Sequence, residues 1–173
     1  MGDGELRLRP AGRDDLAVIE RLTGDPEATG EHGWHGWLEQ WHFRRRWEEN
    51  GLLEDDRGLL IALRGDERLG FVSWRKQVTS PRSYCWNIGV AMRPEARGLG
   101  YGTEAQRLLV RYLFAHTTVN RIEAITETTN AAEQWALQKA GFTREGVLRG
   151  YTFRGGVWRD VFVYSMLRHE LKD

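Results

Sequence analysis

Leu6-Arg7-Leu8-Arg9 alternates apolar with charged positions and ends at Pro10, a pattern that predicts a first strand with one face buried. Asp14 or Asp15 can then cap a short helix whose apolar stripe is Leu16, Val18, Ile19 and Leu22. From Thr29 to Asn50 the positions Trp34, Trp37, Leu38, Trp41 and Trp47 fall close to helical spacing, with Trp41 on the core side, and Asn50-Gly51 supplies a helix end. Gly58 to Leu63, a turn at Gly65-Asp66-Glu67, and Arg68 to Trp74 read as two antiparallel strands. Tyr84 to Met92 is a further strand in which Gly89 marks a bulge or a close backbone approach, and Arg93-Pro94-Glu95 closes it.

The remainder continues the alternation of periods. Ala105, Leu108, Leu109, Tyr112, Leu113 and Phe114 make a long amphipathic helix of the segment from Gly102 to His116. Arg121 to Thr126 is a short strand; Asn130 opens a helix that ends at Ala140-Gly141; Phe142 to Arg149 and Val157 to Leu167 are the last two strands, joined through Arg154-Gly155-Gly156. The predicted order is strand, two helices, three strands, helix, strand, helix, two strands. Neither a repeat nor a linker divides the chain, so residues 1–173 are expected to form a single domain.

Composition narrows the function classes. Lys plus Arg and Asp plus Glu stand at 25 each in 173 residues, which gives no overall field toward nucleic acid or an anionic membrane. Arg44-Arg45-Arg46 is a local basic run, read as a solvated helix face in preference to a nucleic-acid site. A single cysteine, Cys85, leaves no internal disulfide and no Cys-rich metal site, and its place in a strand makes it a small buried hydrophobe. Met1-Gly2-Asp3-Gly4-Glu5 lacks the apolar core of a signal peptide and no run is long enough to span a membrane, so a cytoplasmic protein without metal is expected.

Candidate chemistry concentrates in Arg97-Gly98-Leu99-Gly100-Tyr101-Gly102-Thr103, between a strand and a helix. Glycines in alternation at a helix start leave backbone N–H groups open to an anionic phosphate, although such turns also occur for steric reasons. No lysine follows the turn, so phosphate chemistry of the P-loop type is not implied.

Ile88-Gly89-Val90-Ala91-Met92-Arg93-Pro94, the glycine turn with Glu104-Ala105, Arg121-Ile122-Glu123-Ala124, Asn130-Ala131-Ala132, Lys139-Ala140-Gly141-Phe142 and Glu145 to Arg149 together resemble the GNAT N-acetyltransferases, in particular their Rim-type, ribosomal-protein-alanine branch. The close resemblance covers roughly half the chain. It implies an α+β (α/β) fold: one mixed, mostly antiparallel sheet of about six or seven strands, a splayed central strand pair, and about four helices. It also implies acetyl-CoA as co-substrate, held by Val90, Ala91 and Met92 along the pantetheine, by Arg97, Gly98, Leu99, Gly100, Tyr101, Gly102 and Thr103 around the pyrophosphate, and by Asn130. The implied reaction is direct attack of a neutral amine on the thioester, with no acyl-enzyme and no role for Cys85.

Three positions depart from the family pattern. Leu137 stands where relatives commonly place a tyrosine that protonates the leaving thiolate, and Glu133 where the Rim-type branch often has a serine. Glu133 can supply that proton, directly or through a water, or it can simply favour the helix dipole from the first turn. Asn87 replaces a glutamate usable as base, which leaves Glu31, His32 and His35, or a water chain, to take the proton of the incoming ammonium.

The segment after the first strand forms one wall of the acceptor site in the family, so Glu31, His32, Trp34, His35 and Trp37 are candidate substrate contacts. Trp86 alternates with Ile88 and faces either the acceptor or the core. The acceptor is a protein N-terminus or a small amine. The non-catalytic alternative is an acyl-CoA-binding module, favoured by Leu137 and Asn87, and the strand edges near the C-terminus would permit a homodimer.

Overall fold

A computed structural model describes residues 4–39 and 41–172. Met1 to Asp3, where the chain was read for a leader, Gln40, inside the Thr29 to Asn50 segment, and Asp173 lie outside the described residues. In chain order the elements are β1 (Leu6–Pro10), α1 (Leu16–Gly24), α2 (Pro26–Thr29), α3 (His42–Asn50), β2 (Arg57–Arg64), β3 (Glu67–Ser80), β4 (Ser83–Met92), α4 (Tyr101–His116), β5 (Arg121–Glu127), α5 (Ala131–Ala140), β6 (Thr143–Arg154) and β7 (Val157–Leu167). The seven strands form one sheet in the order β1-β2-β3-β4-β5-β7-β6. Every neighbouring pair is antiparallel except β4 and β5, which the α4 crossover makes parallel.

The sheet is covered on both faces at β2 and β3. Along β2, Leu60 and Ala62 join one apolar cluster with Leu109 and Leu113 of α4, Leu137 of α5 and Tyr164 of β7. The alternating Leu59, Ile61 and Leu63 join a second with Ile19 and Leu22 of α1, Leu52 and Phe71. Period-two alternation therefore buries both faces of the same strand.

One carboxylate fixes the entry to α1. Asp15 accepts from Arg9 Nη1 at 2.5 Å, Arg68 Nε at 2.5 Å and the Gly12 N–H at 2.7 Å. It holds the N-cap position of α1, as its type suggests, but its oxygens serve the arginines and Gly12 instead of the helix.

The helical reading of Thr29 to Asn50 is corrected. Only His42–Asn50 is helical at its C-terminal end, and Pro26–Thr29 forms a separate single turn before it. Gly30 and Gly36 take φ of +81° and +108°, a conformation that ends helices, so the tryptophan spacing is interrupted from within. Trp41 is consequently half exposed and not core, with Arg44 stacked over its ring at 5.2 Å. Trp47 anchors α3 by donating from Nε1 to the Ala11 carbonyl at 2.7 Å. The basic run of α3 is ion-paired throughout: Arg44 to Glu20, Arg45 to Glu39 and Arg46 to Glu54.

Gly89 is not a bulge. It pairs in register with Ser73, and the bulge of this hairpin lies at Val78 to Ser80. A Cβ on Gly89 would sit 3.3 Å from Ser73 Oγ, a tight approach to a side chain. The demanding glycine of the region is Gly70, whose added Cβ would fall 2.1 Å from the Ala91 carbonyl oxygen, so only glycine lets β3 close on the end of β4.

Candidate active site

β4 and β5 pair at only three positions, Trp86 with Ile122, Asn87 with Glu123 and Ile88 with Ala124. Past these the strands continue separately, β4 to Met92 and β5 to Glu127, leaving a wedge in the sheet. Backbone groups of residues 89–92 on the β5 side therefore lack a ladder partner, and apart from the Met92 carbonyl, which accepts from Arg97 Nε, they are open to an inserted extended ligand.

The wedge leads to the start of α4. Gly100, at φ +86°, is its N-cap, and the first hydrogen bond of the helix runs from the Glu104 N–H to the Gly100 carbonyl at 3.2 Å. Among the described residues the N–H groups of Gly100, Tyr101, Gly102 and Thr103 find no acceptor inside the protein. Positive φ accounts for Gly98 and Gly100. It does not account for Gly102, where an added Cβ would make an ordinary 3.8 Å contact with Met92 Cγ. Nothing in the packing demands a glycine there, and the missing side chain leaves the helix end open to a close approach. An anion fits that end best, given the unsatisfied N–H groups and the helix dipole.

Arg97 does not reach into the cradle. Its Nε donates to the Met92 carbonyl at 3.0 Å, and Nη2 donates to the carbonyls of Ala28 and Thr29. Tyr101 is held from the side, its hydroxyl accepting from Arg64 Nη1 at 2.7 Å.

At the start of α5, Asn130 caps the helix by accepting the Glu133 N–H through its side-chain oxygen at 3.2 Å. The Glu133 carboxylate turns toward α4, where Gln106 Nε2 donates to it at 2.6 Å. Burial pushes this carboxyl up to about 7, against the Gln106 bond that favours its charged form. An exposed first-turn glutamate serving the helix dipole would shift the other way. Gln106 itself is 1% exposed, and its Oε1 is a buried acceptor without a partner. Leu137, the position of the family tyrosine, lies wholly in the core.

The other side of the wedge is built around Glu127, 6% exposed at the end of β5. Arg154 grips it with two bonds, Nε to Oε1 at 2.5 Å and Nη2 to Oε2 at 2.6 Å, and holds its carboxyl below the usual carboxylate range. His32 Nδ1 faces Oε2 of the same carboxylate at 3.5 Å and has no other partner. A cavity of about 310 Å³ opens beside this group, lined by Pro26, Gly30, Glu31, Trp34, Arg154 and Gly155. Trp34 meets Trp37 edge to face at 4.9 Å, and Trp37 is 79% exposed. His35 is exposed and makes no contact that orients it among the described residues.

Trp86 leaves the acceptor wall. It is 4% exposed, packs in the cluster under α4, and donates from Nε1 to Thr117 Oγ1 at 3.1 Å, because β4 alternation turns it toward the helix. Asn87, on the opposite face, is buried with Nδ2 unpartnered. The Cys85 thiol is buried and pushed up to about 11, mainly by that burial, which makes it a poor nucleophile.

A sequence profile of the acetyltransferase (GNAT) domain matches residues 5–143, most of the chain. The chain belongs to the GNAT acetyltransferase family. Among curated relatives, the GNAT chain is 37% identical over 81 residues to an uncharacterized N-acetyltransferase, YoaA, of Bacillus subtilis (strain 168), a match covering 47% of this chain and 46% of the relative. The chain spans about half the length of the curated relatives it matches. Solved structures share its fold. Spermidine N-acetyltransferase from Vibrio cholerae, in complex with CoA and spermine, has a TM-score of 0.80 at 17% identity, covering 96% of this chain and 97% of that one. Mycobacterium smegmatis RimJ, in complex with CoA-disulfide, has a TM-score of 0.79 at 22% identity, covering 99% and 86%. A Rim-type protein thus stands among the neighbours, as the sequence blocks imply.

Three residues beside the wedge are not among the candidates the sequence offers: Gln106, Glu127 and Arg154. Gln106 interrupts the buried stripe formed by Ala105, Leu109 and Val110, a signal a stricter helical count would have found. Glu123 and Glu127 both occupy buried positions of β5 and share a face, also unusual for carboxylates. Nothing in the sequence pairs Glu127 with Arg154, which lies 27 residues away. Among the described residues no cluster of three or more His, Cys, Asp or Glu side chains is disposed to hold a metal, and no helix is long and apolar enough to cross a membrane.

Proposed function

We propose that this GNAT domain is an N-acetyltransferase that moves an acetyl group from acetyl-CoA to a primary amine by direct attack. The observation that carries the reading is the parting of β4 and β5 beyond Ile88 and Ala124 in front of the unsatisfied N–H groups of α4. The pyrophosphate would lie on the N–H groups of residues 98–103, with Asn130 beside it. The pantetheine would extend along Val90, Ala91 and Met92, where a free N–H can polarise the thioester carbonyl.

The amine nitrogen attacks that carbonyl, the C–S bond breaks, and sulfur departs as a thiolate that needs a proton. Glu133 is the donor best supported by geometry: half-buried, tied to Gln106, and pushed up to about 7, near enough to a thiol's ordinary value of about 8.5 to give up its proton. Glu133→Gln is expected to lower kcat about 100-fold and to remove the fall in rate above pH 7. The same variant has a stability signature. A carboxyl raised from 4.5 to about 7 costs folding free energy as pH rises through that interval, because the unfolded chain ionises first. Glu133→Gln should therefore unfold at a higher temperature than the parent at pH 8 and at a similar one at pH 4; equal midpoints at pH 8 would show that the carboxyl is not buried in this way.

On the acceptor side, His32 is the base supported by the Glu127 contact. A proton on Nδ1 faces the carboxylate and leaves Nε2 free to take one from the ammonium, as in other carboxylate-oriented imidazoles. With an amine that supports turnover, His32→Gln is expected to lower kcat/KM about 10-fold or more. An unchanged kcat/KM would leave a water chain as the proton route. Glu31 and Trp34 line the cavity, which supports their assignment to the amine and its carbon skeleton. The acceptor is a protein N-terminus or a small amine, and a cytoplasmic setting fits the single buried cysteine.

A further inference from the structure

We infer that Arg97 is a positioning residue that couples donor binding to the acceptor wall: its guanidinium joins the phosphate cradle to the backbone of residues 28–30, from which the acceptor cavity begins. The inference rests on reading the cradle as the CoA site.

Arg97 immediately precedes Gly98, so its main chain is part of the loop on which a phosphate would settle. Its side chain runs the other way. Nε is spent on the carbonyl of Met92, the last residue of β4, and Nη2 on the carbonyls of Ala28 and Thr29 at the end of α2. The contact is close: a Cβ on Gly30 would stand 3.0 Å from Nη1, and Gly30 takes φ +81°, a conformation that strains any side chain. Thr29 is tied down independently, its hydroxyl donating to the carbonyls of Leu22 and Asp25. Gly30 then lines the acceptor cavity, with Glu31 and Trp34 following it.

Among the described residues the guanidinium donates only to carbonyls, and no carboxylate lies within ion-pair distance of it. A guanidinium bonded to main-chain acceptors of two segments fixes their separation, and its planar fork passes a displacement of one to the other. Ordering the cradle with a pyrophosphate therefore orders residues 27–34 as well. The acceptor wall reaches its working shape once the donor is in place.

Backbone hydrogen exchange of the full chain with and without CoA tests this without knowledge of the acceptor. The Thr29, Gly30 and Gly33 N–H groups, bonded to the carbonyls of Asp25, Pro26 and Gly30, report on the wall. In the parent, CoA should slow exchange at residues 98–103 and also, by about threefold or more, at residues 27–34. In Arg97→Met, CoA should still protect residues 98–103, with Kd changed less than about threefold, and protection at 27–34 should be lost. Arg97→Lys, which keeps the charge but lacks the planar fork that holds the Met92 carbonyl together with those of Ala28 and Thr29, should give the same loss if Arg97→Met folds poorly. The coupling is overturned if CoA never protects residues 27–34 in the parent, or if protection there survives both substitutions. A loss of CoA affinity above about tenfold in Arg97→Met would instead make Arg97 a phosphate ligand. Absence of protection at 98–103 in the parent marks failure of the CoA reading itself and takes the coupling with it.

Discussion

Gly100→Glu is expected to weaken CoA binding by at least about 100-fold while the domain remains folded. Gly100 is the N-cap of α4 and holds φ +86°, so any side chain there adds strain of about 1–2 kcal/mol. A domain of this size has about 5–15 kcal/mol of stability and survives that loss. The carboxylate, however, would sit among the N–H groups of residues 100–103 and at the positive end of the helix dipole, taking the place of the phosphate. Losing two charge-assisted hydrogen bonds of about 1.5–3 kcal/mol each exceeds the 2.7 kcal/mol or so that corresponds to 100-fold. Gly100→Ala separates the two effects, since it carries the strain without the charge and should cost no more than about tenfold. Calorimetric titration with CoA decides the matter, and near-parental affinity in the glutamate variant would remove the cradle from the account.

Asp15→Asn should produce the largest loss of stability. The Asp15 carboxylate has no solvent exposure and is shared by Arg9, Arg68 and the Gly12 N–H, which bind β1, β3 and the entry to α1 into one unit. Although burial alone would raise it, these bonds hold its carboxyl down at about 2. Breaking a buried pair while leaving its partners in place costs about 3 kcal/mol, which lowers Tm by about 6–12 °C in a chain of this length. The pH dependence has a definite sign. A carboxyl depressed from 3.8 to about 2 stabilises the fold fully above pH 4, and that contribution disappears as pH falls toward 2. Thermal unfolding of parent and variant should show a wide gap at pH 7 that narrows below pH 4. A gap under 1 kcal/mol at pH 7, or one indifferent to acid, would show that the arginines find other partners.

The sequence disclosed the sheet and the donor side better than the acceptor side, for physical reasons that differ by segment. β1, α4, β5 and α5 are set by periodicity, despite the buried Gln106 in α4 and the buried carboxylates in β5, and by local caps such as Asn130 and Gly141, so their boundaries follow from a few neighbouring residues. The cradle is likewise local, seven consecutive residues with glycine at alternate places. Residues 29–50 misled because tryptophan spacing suggested a helix that Gly30 and Gly36 interrupt, and the positive φ of those glycines outweighs the apolar pattern. The side of β4 on which Trp86 lies depended on the register with β3 and β5, and only the sheet shows that its indole turns to Thr117. Glu133 could be named from its place after Asn130, but its inward turn depends on Gln106, 27 residues earlier. The Glu127, Arg154 and His32 group unites three distant segments, and no local signal joins them.

The departures at Leu137 and Asn87 leave a sharp alternative, a GNAT domain that binds acyl-CoA without turning it over. The most direct test is thiol release from acetyl-CoA across a panel of primary amines, peptide N-termini and small amines alike, with the acetylated product identified by mass. Release should depend on one class of amine and be suppressed by Glu133→Gln. Tight CoA binding with no amine-dependent release from any member of the panel would contradict acetyl transfer.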